Sequence, residues 1–127
     1  MTKRILIVED DQSLRKGLID ALTDHGYEIQ HADNGEDGLQ IAFESKPSLI
    51  VLDLLMPKMS GEQMLTKLRE DEWGAQVPVI ILSNVTTEEE MLKNLNQVRK
   101  DGMLNDYLVK SDTSIELLLQ LVKQRLA

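Results

Sequence analysis

Unbroken apolar runs alternate with stretches in which apolar residues recur every third or fourth position. Ile5–Val8 within Arg4–Val8 (RILIV), Leu49–Leu52 (LIVL) and Val79–Leu82 (VIIL) are short and continuously apolar. Such runs predict strands covered on both faces. Tyr27–His31 is a weaker strand candidate, and Asp106–Val109 (DYLV) is a fifth. Between them lie amphipathic patterns. Leu14, Leu18 and Leu22 predict a helix stopped by Gly26, and Asn34-Gly35 reads as a turn before a helix using Leu39, Ala42 and Phe43. Pro47 ends that helix. Met64, Leu65 and Leu68 follow the loop MPKMSG, and Gly74 and Pro78 bracket the next turn. Met91, Leu92, Leu95 and Val98 follow a capping box, Thr86 with Glu89, and stop at Gly102. A second box, Thr113 with Glu116, precedes Ile115, Leu118, Leu119, Val122 and Leu126. Strand and helix thus alternate five times. That pattern predicts a (βα)5, doubly wound α/β fold with a five-stranded parallel sheet and right-handed crossovers.

Size and composition narrow the possibilities. The 127 residues suit one domain, 1–127, and no output domain is expected within them. With no cysteine, disulfides and thiolate metal sites are excluded. No apolar run approaches the ~18 residues of a membrane span, and Ile5–Val8 is too short for a signal peptide. A cytoplasmic protein is expected. Net charge is −8, which argues against nucleic-acid binding by this chain, because phosphate contacts need a basic patch. The charge serves solubility first and attraction to cations second.

Position makes the polar residues informative. Asp10 and Asp53 each follow an apolar strand, and so do Ser83 and Lys110. In open α/β sheets, sites form beyond the carboxyl ends of the strands, where strand order reverses. For the order 2-1-3-4-5 that point lies between strands 1 and 3, which end in Glu9-Asp10 and Asp53. Asp53 therefore need not sit in the core. Carboxylates ~5 Å apart at an effective dielectric of about 20 repel by roughly 3 kcal/mol per pair. A divalent cation relieves this, and Mg²⁺ suits hard oxygen ligands with several waters retained. Ser83 offers a hydroxyl, and Lys110 a mobile ammonium that binds phosphate. An aspartate beside them is a plausible nucleophile for phosphoryl transfer. Singly, each residue has a plainer role: an N-cap, a strand-end cap, a surface serine or lysine. Their coincidence at successive strand ends is what points to a site. His25 and His31 lack metal-ligand spacing and read as surface residues, and the methionines read mostly as core filler.

Taken together, ILIVEDD, LIVLDLLMPKMSG, VIILS and YLVK resemble a response-regulator receiver domain of two-component signalling, over essentially the whole chain. The resemblance implies a flavodoxin-like fold and a phosphoacceptor, Asp53. Glu9 and Asp10 would hold Mg²⁺, Asp10 directly and Glu9 through water, with the Leu55 carbonyl as a further ligand. Ser83 and Tyr107 match the switch pair, Lys110 the site lysine, and Pro57 and Gly61 the following loop. Phosphorylation would come from a histidine kinase or a histidine phosphotransfer protein. It would alter the face made by the fourth helix, fifth strand and last helix, and so signal to a downstream protein or drive homodimerisation. Such a domain helps catalyse its own phosphorylation without being a turnover enzyme.

Three positions depart from the pattern. Ser111 follows Lys110 where proline with a cis bond is usual. The segment between Ser83 and Lys110 is longer than usual near Asn96–Met103, and Asn84 follows Ser83 where a small residue is common. Two other classes compete. A haloacid-dehalogenase-type phosphatase wants a second aspartate two residues after the first, and position 55 is leucine. A phosphorylation-independent or flavin-binding module leaves the set Glu9, Asp10, Asp53 and Lys110 without purpose, and the acidic first loop would repel a phosphate.

Overall fold

The chain forms five strands, β1 (Arg4–Val8), β2 (Glu28–Ala32), β3 (Leu49–Asp53), β4 (Val79–Ser83) and β5 (Asn105–Val109), and branched apolar residues fill most of β1, β3 and β4. In this computed structural model they pair in parallel in the expected order, β2-β1-β3-β4-β5. The structure describes residues 2–54, 56, 58–83, 105–110 and 114–127, and only the backbone of Ser83, Asn105 and Val109. Its helices are α1 (Gln12–Asp24), α2 (Gly35–Ser45), α3 (Gly61–Glu70) and α4 (Ile115–Leu126).

Side chains alternate across a strand, so each apolar run supplies two cores. Leu6, Val8, Ile50, Leu52, Val79 and Ile81 pack with Ala42 of α2 and Met64 and Leu68 of α3. Ile5, Ile7, Leu49, Val51, Ile80 and Leu82 pack with Leu18 and Leu22 of α1 and Leu118 and Val122 of α4. A fully buried Leu or Ile stabilises by about 1.5–3 kcal/mol relative to an exposed one, which is why, after Arg4, the three strongest strands carry no polar residue before their carboxyl ends.

Several boundaries differ from the sequence-based expectation. β2 runs one residue later than Tyr27–His31. Asn34-Gly35 is a helix start rather than a turn: Asn34 Oδ1 accepts from the Asp37 N–H at 2.9 Å and caps α2. Phe43 and Ile115 are exposed, so they do not belong to the buried stripes of their helices. The cap of α4 is Ser114, whose Oγ accepts from the Leu117 N–H at 3.1 Å, and Thr113 lies outside the described residues. α3 has its own capping box, Ser60 with Gln63. His25 and His31 are exposed, as expected. The helix predicted around Met91–Val98, its Thr86–Glu89 cap, Gly102, and the long segment near Asn96–Met103 lie outside the described residues, as do Asn84 and the Lys110–Ser111 bond.

Candidate functional site

Register brings the acidic residues together. Val8 lies opposite Leu52 on adjacent strands, so Glu9 and Asp53, the next residue of each chain segment, stand level at the carboxyl edge. Asp10 follows in the β1–α1 turn. One oxygen from each of Glu9, Asp10 and Asp53 lies within 4.8 Å of the others. Glu9 and Asp53 are buried, at 1% and 2% exposure, while Asp10 is exposed.

Asp53 is therefore more enclosed than its strand-end position suggested. It is the last residue of β3 rather than the first beyond it, and burial is its largest perturbation. Burial, a hydrogen bond with Glu9 and the Glu9 charge push its carboxyl up to about 8, against a smaller opposing pull from Lys110. The proton is kept because a second carboxylate beside a buried first one is costly. Burial alone would raise Asp10 too. Hydrogen bonds shared with Asp53 and Glu9, its own backbone N–H and the Lys110 charge outweigh burial and hold Asp10 low.

Lys110 follows β5 directly and reaches back across β4. Its Nζ stands 2.7 Å from Glu9 Oε1 and 3.3 Å from Asp53 Oδ2. Burial disfavours its charge, but the Glu9 hydrogen bond and the charges of Asp53 and Glu9 win, and the ammonium is held above its usual range. Lys110 thus pairs with two of the three carboxyls, and its charge acts on the third. The donor set is all oxygen and anionic in excess of its counter-charge, which fits a hard divalent cation.

The loop after Asp53 is held by a close backbone approach. The Gly61 N–H donates to the Leu54 carbonyl at 2.9 Å. A Cβ at Gly61 would lie 2.1 Å from the Asp53 carbonyl oxygen, so only glycine fits. Lys58 in that loop has φ 63, in the left-handed region. The Leu55 carbonyl and Pro57 lie outside the described residues, and so does the Ser83 hydroxyl. Tyr107 is half-buried and packs against the core shared with α2 and α3. Arg15 was not anticipated: its Nη1 donates to the Glu9 carbonyl at 2.8 Å. The signal was an arginine one turn into the helix that follows the acidic pair.

A model of the response regulator receiver domain matches residues 5–123. The chain belongs to this family. Among curated relatives it is 35% identical to the transcriptional regulatory protein HprR of Escherichia coli, over 95% of this chain and 51% of that protein. It is 33% identical to the transcriptional regulatory protein SrrA of Staphylococcus aureus, over 94% of this chain and 46% of that protein. The chain thus spans about half the length of these relatives. Among solved structures, the signal receiver domain of a histidine kinase from Syntrophus aciditrophicus superposes with TM-score 0.85 at 27% identity, covering 98% of this chain and 90% of that one. The chemotaxis protein CheY4 of Vibrio cholerae gives TM-score 0.81 at 26% identity, covering 98% of each chain. Among the described residues of this receiver, no helix is long and apolar enough to cross a membrane.

Proposed function

We propose that this receiver, a single domain over 1–127, is the phosphoacceptor of a two-component phosphorelay and that Asp53 takes the phosphoryl group. The donor is a phosphohistidine on a histidine kinase or a histidine phosphotransfer protein. An Asp53 carboxylate oxygen attacks phosphorus, the P–N bond breaks, and its electron pair leaves with the imidazole. The product is an aspartyl phosphate. The observation that carries this reading is the meeting of Lys110 with Asp53 and Glu9 beside Asp10 at one strand edge.

The roles follow from charge. Glu9, Asp10, Asp53 and the Leu55 carbonyl would hold Mg²⁺, which when bound supplies positive charge that favours the ionised Asp53 and offsets the phosphoryl oxygens. The Lys110 ammonium, already beside Asp53, is placed to move onto a phosphoryl oxygen as a point-charge donor. The Ser83 hydroxyl donates to another, and Tyr107 turns inward as Ser83 moves. The face built from β5, α4 and the helix predicted around Met91–Val98 then changes and signals to a downstream protein or to a second copy of the chain. Moving such an equilibrium from 1:99 to 99:1 needs about 5.5 kcal/mol. A few charge-assisted hydrogen bonds at roughly 1.5–3 kcal/mol each suffice. The chain is consumed and regenerated as a signalling substrate, not as a turnover enzyme.

Incubation with acetyl phosphate and Mg²⁺, followed by intact-mass measurement, tests this reading. One added phosphoryl mass is expected in the wild type and none in Asp53→Asn. An equal gain in Asp53→Asn, or no gain in the wild type, would refute it.

A further inference from the structure

Glu9 and Asp10 are neighbours in sequence, so one planar peptide group links them. Its carbonyl belongs to Glu9 and its N–H to Asp10, and the two turn as a unit. The preceding peptide group is held by β2, since the Glu9 N–H donates to the Ala32 carbonyl at 3.0 Å. The linking group is held from the other side: Arg15 Nη1 donates to the Glu9 carbonyl at 2.8 Å. Asp11, next in line, is fixed by capping α1, its Oδ1 accepting from the Leu14 N–H at 3.0 Å. The exposed Asp10 carboxyl therefore takes its direction from a peptide plane whose carbonyl is held by a guanidinium.

We propose that Arg15 is a positioning residue for the divalent-cation site: it fixes the Glu9–Asp10 peptide so that Asp10 faces Asp53. The inference rests on the Mg²⁺ reading given above. Arg15 touches neither the metal nor the phosphoryl group. It acts through the backbone, as groups that orient a metal ligand do.

Charge alone works in the opposite sense. A guanidinium on the Glu9 carbonyl brings positive charge near the site and repels an incoming cation, so a purely electrostatic role would have its removal tighten Mg²⁺ binding. A positioning role has its removal weaken binding. The sign of the change separates the two.

The expected variant is soluble and folded. Arg15 is half-buried and borders an open groove of about 420 Å³ with His31, Asp33 and Asp37. Water from that groove can hydrate the released carbonyl. The experiment is Mg²⁺ titration by calorimetry on the whole chain, with the metal-free melting temperature measured alongside. In Arg15→Met, Mg²⁺ affinity is expected to fall about tenfold, with the metal-free melting temperature nearly unchanged. Arg15→Lys, which keeps a charged donor on a less branched head, is expected to fall between. Should Arg15→Met fail to fold, Arg15→Gln is read in the same way. Unchanged or tighter Mg²⁺ binding in the neutral variants would overturn the inference and leave the Mg²⁺ site standing. Absence of Mg²⁺ binding in the wild type would overturn both.

Discussion

Asp53 shows how a single residue can work against the stability of the fold that holds it. In the unfolded chain its carboxyl has an ordinary pKa of 3.8, and in the folded chain burial and Glu9 push it to about 8. Between those values the folded chain holds a proton that the unfolded chain has released. Stability of the metal-free protein is therefore expected to fall as pH rises from about 4 to about 8 and then to level off. The other shifted groups of the site titrate outside this window: Asp10 below 3.8 and Lys110 above 10.5. Thermal melting in a chelator should show this slope in the wild type and a flatter one in Asp53→Asn. At pH 8 the variant should melt higher by roughly 3–8 °C, or about 1–2 kcal/mol. A wild type whose stability rises across this range would contradict the assignment. The carboxylate was legible as chemistry because it closes an apolar run. Its near-complete burial was not, since that depends on Glu9, Lys110 and Gly61 arriving from elsewhere in the chain.

At the scale of elements, apolar periodicity carried the strands and most helices, and local cap chemistry caused the errors. Asn34-Gly35 suits a tight turn and a helix start equally, and tertiary packing decides: the Gly35 N–H donates to the Met59 carbonyl at 3.1 Å. Thr113 and Ser114 are both good cap types, and the start of α4 at Ile115 makes Ser114 the cap. Arg15 sits on a helix whose sequence gives it no partner, so its bond to a carbonyl six residues back could not be read in advance. Glycines show the same division. Gly61 closes the loop after Asp53 against backbone atoms that cannot rotate away, whereas a Cβ at Gly17 would meet only Ile115 Cδ1, at 3.8 Å. Gly61→Ala is expected to destabilise by about 1–3 kcal/mol or more. Gly17→Ala, inside α1, should stabilise by roughly 0.5–1 kcal/mol. Chemical denaturation of the two variants checks both signs, and equal effects would refute the packing argument.

Across the whole molecule, the sheet order makes the site. β1 and β3 are neighbours although 40 residues lie between Val8 and Leu49, and their ends supply the carboxyls. β5 lies two strands from β3, and only a side chain as long as Lys110 reaches back to Glu9 and Asp53. Topology was legible because alternating strands and helices leave few parallel arrangements. The ion pairs were not, because sequence says which residues reach the edge and not how they divide their charges. The most direct test is a crystal structure with Mg²⁺ and beryllofluoride, whose BeF3 group stands in for the phosphoryl group on Asp53. Metal density touching Asp10 and Asp53, with Lys110 moved from Glu9 onto a fluorine, is the expected result. A metal bound elsewhere, or BeF3 on another side chain, would contradict it.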